Sequence, residues 1–325
     1  MRNTELIREL RALTSAGMKD CKDALEESGG DLQKAVDIIK VKGLAISDGR
    51  SGRVAAEGLV TIVNPDNATP VQIMMEVYCQ TDFVANSETF KNFVDYAATE
   101  LMCCFQNGVV FDPSMVEVAR KETVASTKEN VIVRRWWIEE SGDASKILVF
   151  PYLHSNNKIG VLITLQAPSF EARNDPAFHT LGNDLAMQIA AMNPLAVSPD
   201  RIPAEEKDRQ RAIFQTQLQE EKKPEKMWEK ILEGKFRKWN AEVCLLEQES
   251  VVVPKTSVAQ VIKNVGTRLG GEIQVVNFVR CQVGEGIEKK QDDLAAEVAK
   301  MTGIEAEQRV LPHQHSDGTF CNKGE

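Results

Sequence analysis

His313, His315 and Cys321 carry imidazole nitrogens and a thiol, donors that suit zinc and related metals, and they lie close together along the chain. No fourth ligand stands near them and the surrounding stretch is polar, so no metal site is expected there. Cys103 and Cys104 are adjacent, which raises redox chemistry. Neighbours on a helix point about 100° apart, however, so the expected role of the two thiols is to fill a core. Glu285 sits in "VGEGIE", which looks like a glycine-rich phosphate loop but lacks the GxxxxGK[ST] pattern. Gly284 and Gly286 are expected to turn the chain between a strand and a helix. There is also no GxSxG elbow. The residues therefore assign no catalytic group, no metal and no cofactor.

One stretch resists a bland reading. "CQTDFVAN", Cys79 to Asn86, follows an apolar run expected to be a buried strand and precedes "SETFKNFV", expected to start a helix. Thr81, Asp82 and Asn86 suit a turn. Phe83 and Val84 do not. The ring of Phe83 either folds back as an anchor for the loop or stands out as a contact, and from composition alone the anchor is favoured.

The elements around this loop follow from periodicity. Residues 4–42 give three short helices, each with one apolar stripe: Leu6, Ile7, Leu10 and Leu13; Cys21, Ala24 and Leu25; then Leu32, Ala35, Val36 and Ile39. Met18 lies partly off its stripe, where docking and core packing are both open. "GLAISDGRSGR", 43–53, reads as a linker. Strands are expected near 56–64, 71–79, 131–139, 147–153 and 158–166, and a resumed sheet at 242–253 and 273–283. Helices are expected after the quoted loop, at 114–128, through Phe178 to Met192, and after Thr256 or Ser257. In Trp136-Trp137, alternation puts one ring in and one out, the outer being a contact or a lid over the sheet edge.

The expected fold class is α+β, with two related subdomains. The boundaries are a three-helix unit and linker over 1–53, a first subdomain over 54–140, and a second from 141–199 and 241–285. A helical hairpin is inserted at 200–240, carrying Ile213, Phe214 and Leu218 on one arm and Trp228, Ile231, Leu232, Phe236 and Trp239 on the other. A C-terminal helical unit over 286–302, with Leu294, Val298 and Met301, and a disordered tail over 303–325 complete the chain.

Composition narrows the function. A net charge of -9 and a pI of about 5.2 argue against nucleic-acid binding and against an anionic membrane surface, both of which need a basic face. Seven cysteines, an odd number with no CxxC pair, fit free thiols in a reducing compartment. "MRNTELIRELR" has no apolar signal core, and no apolar run is long enough to span a bilayer, so a cytoplasmic protein is expected.

Several motifs, in one order, resemble the elongation factor Ts family. "LRALTSAGMKDCKDALEESGGDLQKAVDIIKVKG" is similar to its N-terminal ubiquitin-associated-like module, and "EVYCQTDFVA" to its central motif. "NKIGVLI", "PKTSVAQVIK" and "CQVGEGIEKKQDDLAAEVA" are similar to later segments, so that the likeness covers about residues 4–301. The resemblance implies a guanine nucleotide exchange factor that binds elongation factor Tu, in its GDP-bound and nucleotide-free forms, and is not itself an enzyme. It also implies that Thr81, Asp82, Phe83 and Val84 dislodge the Mg²⁺ of the partner, Phe83 acting as a wedge. Arg11, Met18 and Lys19 then match docking positions of the N-terminal module, and Gln188 a partner-contacting position. The family often has a second Met where this chain has Lys19, and a His where it has Gln188. Two rival classes remain from the residues: a ubiquitin-type adaptor resting on 4–42, and an enzyme with a site between the subdomains.

Overall fold

The computed structural model describes residues 2–14, 16–48, 52–64, 71–140 and 145–287. The expected C-terminal helix over 286–302, apart from its first two residues, and the tail with His313, His315 and Cys321 lie outside them.

Helices α1 (Arg2–Thr14), α2 (Met18–Glu27) and α3 (Leu32–Asp48) enclose Leu10, Cys21, Ala24, Leu25, Ala35 and Ile39. Gly29 and Gly30 both have positive φ, which lets Gly30 N–H reach back to Leu25 O at 2.8 Å and stop α2. The Asp31 carboxylate then accepts from Lys34 N–H and caps α3. Two expectations fail here. Leu13, read as part of the stripe, is exposed. And α3 runs through most of the stretch read as a linker. Leu44, Ala45 and Ile46 favour helix enough to absorb Gly43, and α3 packs along a core helix, α6, which supplies the tertiary support that a long helix needs.

Strands β1 (Glu57–Val63), β2 (Val71–Cys79) and β3 (Ile132–Glu140) form one antiparallel sheet in that order. Between β2 and β3 come α4 (Asp82–Ala85), α5 (Glu88–Gln106), a 3₁₀ turn at Pro113–Val116 and α6 (Glu117–Thr127). Strands β4 (Ile147–Leu153), β5 (Ile159–Gln166) and β6 (Gln274–Gln282) form the second antiparallel sheet. Its crossover holds α7 (Phe170–Arg173), α8 (Pro176–Met192), α9 (Ala204–Glu220), α10 (Trp228–Val243) and α11 (Val258–Arg268). The fold is α+β.

Each sheet is covered on both faces, which is why β2 is buried along almost its whole length instead of at alternate residues. Ile73, Met75 and Val77 face Phe90, Phe93, Val94, Ala97 and Leu101 of α5. On the opposite face, Val60 and Met74 meet Val149, Leu162 and Cys281 of the second sheet. Beyond that, Val161, Ile163 and Leu165 pack under Phe178, Leu181, Leu185 and Ile189 of α8. Trp136 packs edge-on against Phe111 on the helix side, and Trp137 joins the cluster between the sheets. Both rings therefore cover core, and neither is a free contact.

The sheet-to-sheet seam also holds charge. Glu76 is fully buried and accepts from Arg135 Nε at 2.7 Å and from the Tyr78 hydroxyl. Tyr78 Oη in turn accepts from Arg134 and from Gly284 N–H at 2.7 Å. Gly284 and Gly286 have positive φ and turn the chain after β6, as expected.

Antiparallel helices α9 and α10 pack on each other through Leu218, Leu232 and the rings of Phe214 and Phe236, 5.3 Å apart. The strand expected at 242–253 does not form. α10 continues to Val243, and Leu245 N–H and Leu246 N–H bond to Ala196 and Val197 carbonyls instead of joining a ladder. Residues 251–253 then bulge out, and β6 alone pairs with β5 on that side.

Candidate functional site

The quoted loop is a short helical turn, not an open loop. β2 ends at Cys79, and Thr81 adopts extended backbone angles that let its hydroxyl accept from Val84 N–H, capping α4. Ala85 N–H returns to Thr81 O at 3.1 Å, and Asn86 N–H to Asp82 O at 3.0 Å. Ser87 Oγ donates to Val84 O at 2.7 Å and accepts from Phe90 N–H, which starts α5. Val84 packs on the core and Ala85 is buried, so the turn is fixed from below.

The side chain between them is not. Phe83 is 84% exposed, and Asp82 beside it is exposed too. The ring is therefore no anchor. Leaving a side chain of this size in water forgoes about 2 kcal/mol of burial that a partner could recover. Below the turn, burial, then the nearby Glu129 charge, pushes the Cys79 thiol up to about 12, so it stays protonated and chemically quiet.

Glu129, in the loop before β3, reaches this turn across the sequence. One carboxylate oxygen accepts from Gln80 N–H at 3.0 Å and Thr81 N–H at 2.9 Å, and the other from the Thr81 hydroxyl at 2.7 Å. Its neighbours hold other parts of the chain. Lys128 pairs with Asp20 of α2, and Asn130 Nδ2 donates to Arg53 O at 2.8 Å.

On the three-helix unit Arg11, Met18 and Lys19 are all exposed, Met18 at 65%. Leu13, exposed to a similar degree, lies in the last turn of α1, five residues before Met18, although the stripe pattern expects it to be buried.

Gln188 differs from expectation. It is 2% exposed. Its amide nitrogen donates to Gln248 Oε1 and Glu249 O, and its oxygen accepts from Val251 N–H at 2.8 Å. A side chain with its polar atoms so engaged is not displayed to a partner. What lies beyond it is the exposed Val251–Val252–Val253 bulge, whose first residue it holds.

Among the described residues no cluster of His, Cys, Asp and Glu could hold a metal. Cys103 is exposed, while Cys104 is buried against the Met115 sulfur at 3.6 Å, so the two thiols do not form a pair. No helix among the described residues is long and apolar enough to cross a membrane.

A hydrogen-bonded turn with a bare ring, and a second exposed apolar tip on a helical unit, have the character of a protein-docking surface and not of a catalytic centre. The elongation factor Ts family profile matches residues 80–285. The chain is 42% identical to elongation factor Ts of Symbiobacterium thermophilum over 301 residues, covering 92% of this chain and 98% of that protein. It is 39% identical to that of Bdellovibrio bacteriovorus over 302 residues, 90% and 96% of the two chains, and 37% to that of Lawsonia intracellularis over 292 residues, 87% and 99%. This chain belongs to the elongation factor Ts family. Membership makes it a nucleotide exchange factor for elongation factor Tu in translation elongation.

Proposed function

We propose that Phe83 is the wedge through which this factor speeds GDP release. The GTPase holds GDP through backbone donors around the phosphates and through a Mg²⁺ that demands near-octahedral ligation. A factor that binds better once ion and phosphate loop are displaced lowers GDP affinity, and GDP lowers the factor's affinity by the same ratio. Phe83 fills an apolar cleft beside the ion site, Thr81 and Asp82 shape the turn and its polar rim, and Val84 seats it. The observation that carries this reading is the 84% exposure of a phenylalanine on a turn whose neighbours are tied down.

The three-helix unit, ubiquitin-associated-like in this reading, docks on the GTPase through Arg11, Leu13, Met18 and Lys19. The two sheet units are related subdomains: Ser169, like Thr81, caps a one-turn helix, and Asp175, like Ser87, caps the long helix that follows. The hairpin α9–α10 is dispensable for exchange on the isolated partner. The factor binds Tu in its GDP-bound and nucleotide-free forms, performs no covalent chemistry, binds no nucleic acid directly and works in the cytoplasm.

The test is release of labelled GDP from loaded elongation factor Tu. The wild-type chain should speed it. Phe83→Ala should keep its melting temperature and slow release more than about tenfold, since a buried aromatic anchor is commonly worth about 2 kcal/mol and about 1.4 kcal/mol is tenfold in rate. Phe83→Leu should fall between. A Phe83→Ala protein with normal exchange ends the wedge reading.

A further inference from the structure

The geometry points to Glu129 as the positioning residue of the exchange reaction, a carboxylate that never touches the partner but sets where Phe83 stands. This inference rests on the wedge reading above. The Gln80 and Thr81 N–H groups at the exit of β2 have lost their strand partners. Glu129 Oε2 accepts from both, at 3.0 and 2.9 Å. Its Oε1 accepts the Thr81 hydroxyl proton at 2.7 Å, which leaves Thr81 Oγ1 free to accept from Val84 N–H. One carboxylate thus sets the direction of the chain leaving β2 and the cap of the turn that carries Phe83. Bonds to a charged acceptor are the stronger kind, and the site is half-buried, so water replaces them poorly.

The same segment ties down the rest of the docking surface. Lys128 reaches Asp20, in the same first turn of α2 as Met18 and Lys19, and Asn130 N–H and Nδ2 meet Gln80 Oε1 and Arg53 O. Residues 128–130 therefore join the helical unit, the chain leading out of it and the Phe83 turn. Sequence spacing gives no hint of this, because Glu129 stands 48 residues from Thr81.

A wedge that arrives misdirected can still dock, because area elsewhere holds the complex, but it enters the cleft less often. Loss of Glu129 should therefore lower the maximal rate of GDP release at saturating factor and leave the half-saturating concentration nearly unchanged. A general weakening of the fold would do neither selectively.

The test uses the full chain with GDP-loaded Tu. Glu129→Ala should cut the maximal release rate about tenfold. Glu129→Gln keeps the shape, one acceptor for the two N–H groups and a partner for the hydroxyl, but loses the charge that strengthens them, so it should recover only part of the rate and leave a loss of about threefold. In a Phe83→Ala background, Glu129→Ala should add little, because the group it positions is gone. If Phe83→Ala slows release and Glu129→Ala does not, or if the two losses simply multiply, the positioning role is wrong while the wedge stands. If Phe83→Ala has no effect, the wedge itself fails. If Glu129→Ala is poorly folded, Glu129→Gln decides: wild-type stability with a reduced maximal rate that Phe83→Ala masks supports positioning, and an unmasked or absent defect overturns it.

Discussion

Lys128 Nζ lies 2.9 Å from Asp20 Oδ2, joining the loop after α6 to the second helix of the N-terminal unit across 108 residues. Together with the packing of α3 along α6, this seats the unit on the core instead of leaving it on a free tether. Both side chains are partly exposed, so the pair is worth at most about 1 kcal/mol and acts mainly on orientation. Asp20→Lys should weaken binding to Tu severalfold with little change in melting temperature. Adding Lys128→Asp should restore binding, since aspartate tolerates the left-handed backbone at that position (φ 62). Were the unit merely tethered, titration calorimetry would find both variants bound like wild type.

Periodicity made much of this architecture readable. β4 was expected at 147–153 and occupies those residues, and the stripe from Phe90 to Leu101 is the buried face of α5. What escaped depends on contacts between distant segments. Gly43 broke the helical pattern on paper, yet α3 continues because α6 lies alongside it. The run Val251–Val253 has the composition of a strand, but its neighbours bond to Ala196 and Val197 first. Phe83 could be singled out because an aromatic at a strand-to-helix turn violates a local rule. Glu129 could not, because a glutamate between a helix and a strand violates none.

The two sheets meet through a position that only glycine fits. A Cβ on Gly160 would stand 2.6 Å from Val60 Cγ1 and 2.7 Å from Met74 Sδ. Gly160→Ala should therefore push the sheets apart and cost about 1–3 kcal/mol. Urea denaturation should show a lower midpoint with an unchanged slope. Per folded molecule, exchange should stay normal, because the Phe83 turn lies at the end of β2 and not at this contact.

Stability should fall on the alkaline side. Burial, then the hydrogen bond to Glu76, pushes the Tyr78 hydroxyl up to about 12, and burial pushes the Cys79 thiol up to about 12 and the Cys244 thiol up to about 11. In the unfolded chain these groups lose their protons near their ordinary values, about 10 for tyrosine and about 8.5 for cysteine. The unfolded state thus binds fewer protons than the folded state above about pH 8.5, and the protein loses stability as pH rises from there through the folded values. Melting temperature should be nearly flat from pH 7 to 8 and drop steadily towards pH 11. Cys79→Ala should start lower, for the lost packing, and fall less steeply. An equally steep fall in that variant would remove Cys79 from the account.

Gln188 separates direct contact from support. If its amide touched the partner, Gln188→Ala would weaken binding to Tu and leave the melting temperature alone. The geometry predicts that stability falls. Removing the amide leaves the buried Gln248 Oε1 and the part-buried Glu249 O and Val251 N–H without this partner, at about 1–3 kcal/mol for a buried group left unsatisfied. Melting should therefore fall by several degrees. We propose that the exposed Val251–Val253 bulge, and not the amide, meets the partner, so that binding weakens as well, through the bulge that Gln188 holds in place. Val252→Ser, which leaves the Gln188 bonds intact, separates the two effects: it should reduce affinity without lowering stability. Melting curves and titrations on the three proteins decide the matter. A stable Gln188→Ala with weakened binding, beside a Val252→Ser that binds like wild type, would return Gln188 to the contact surface.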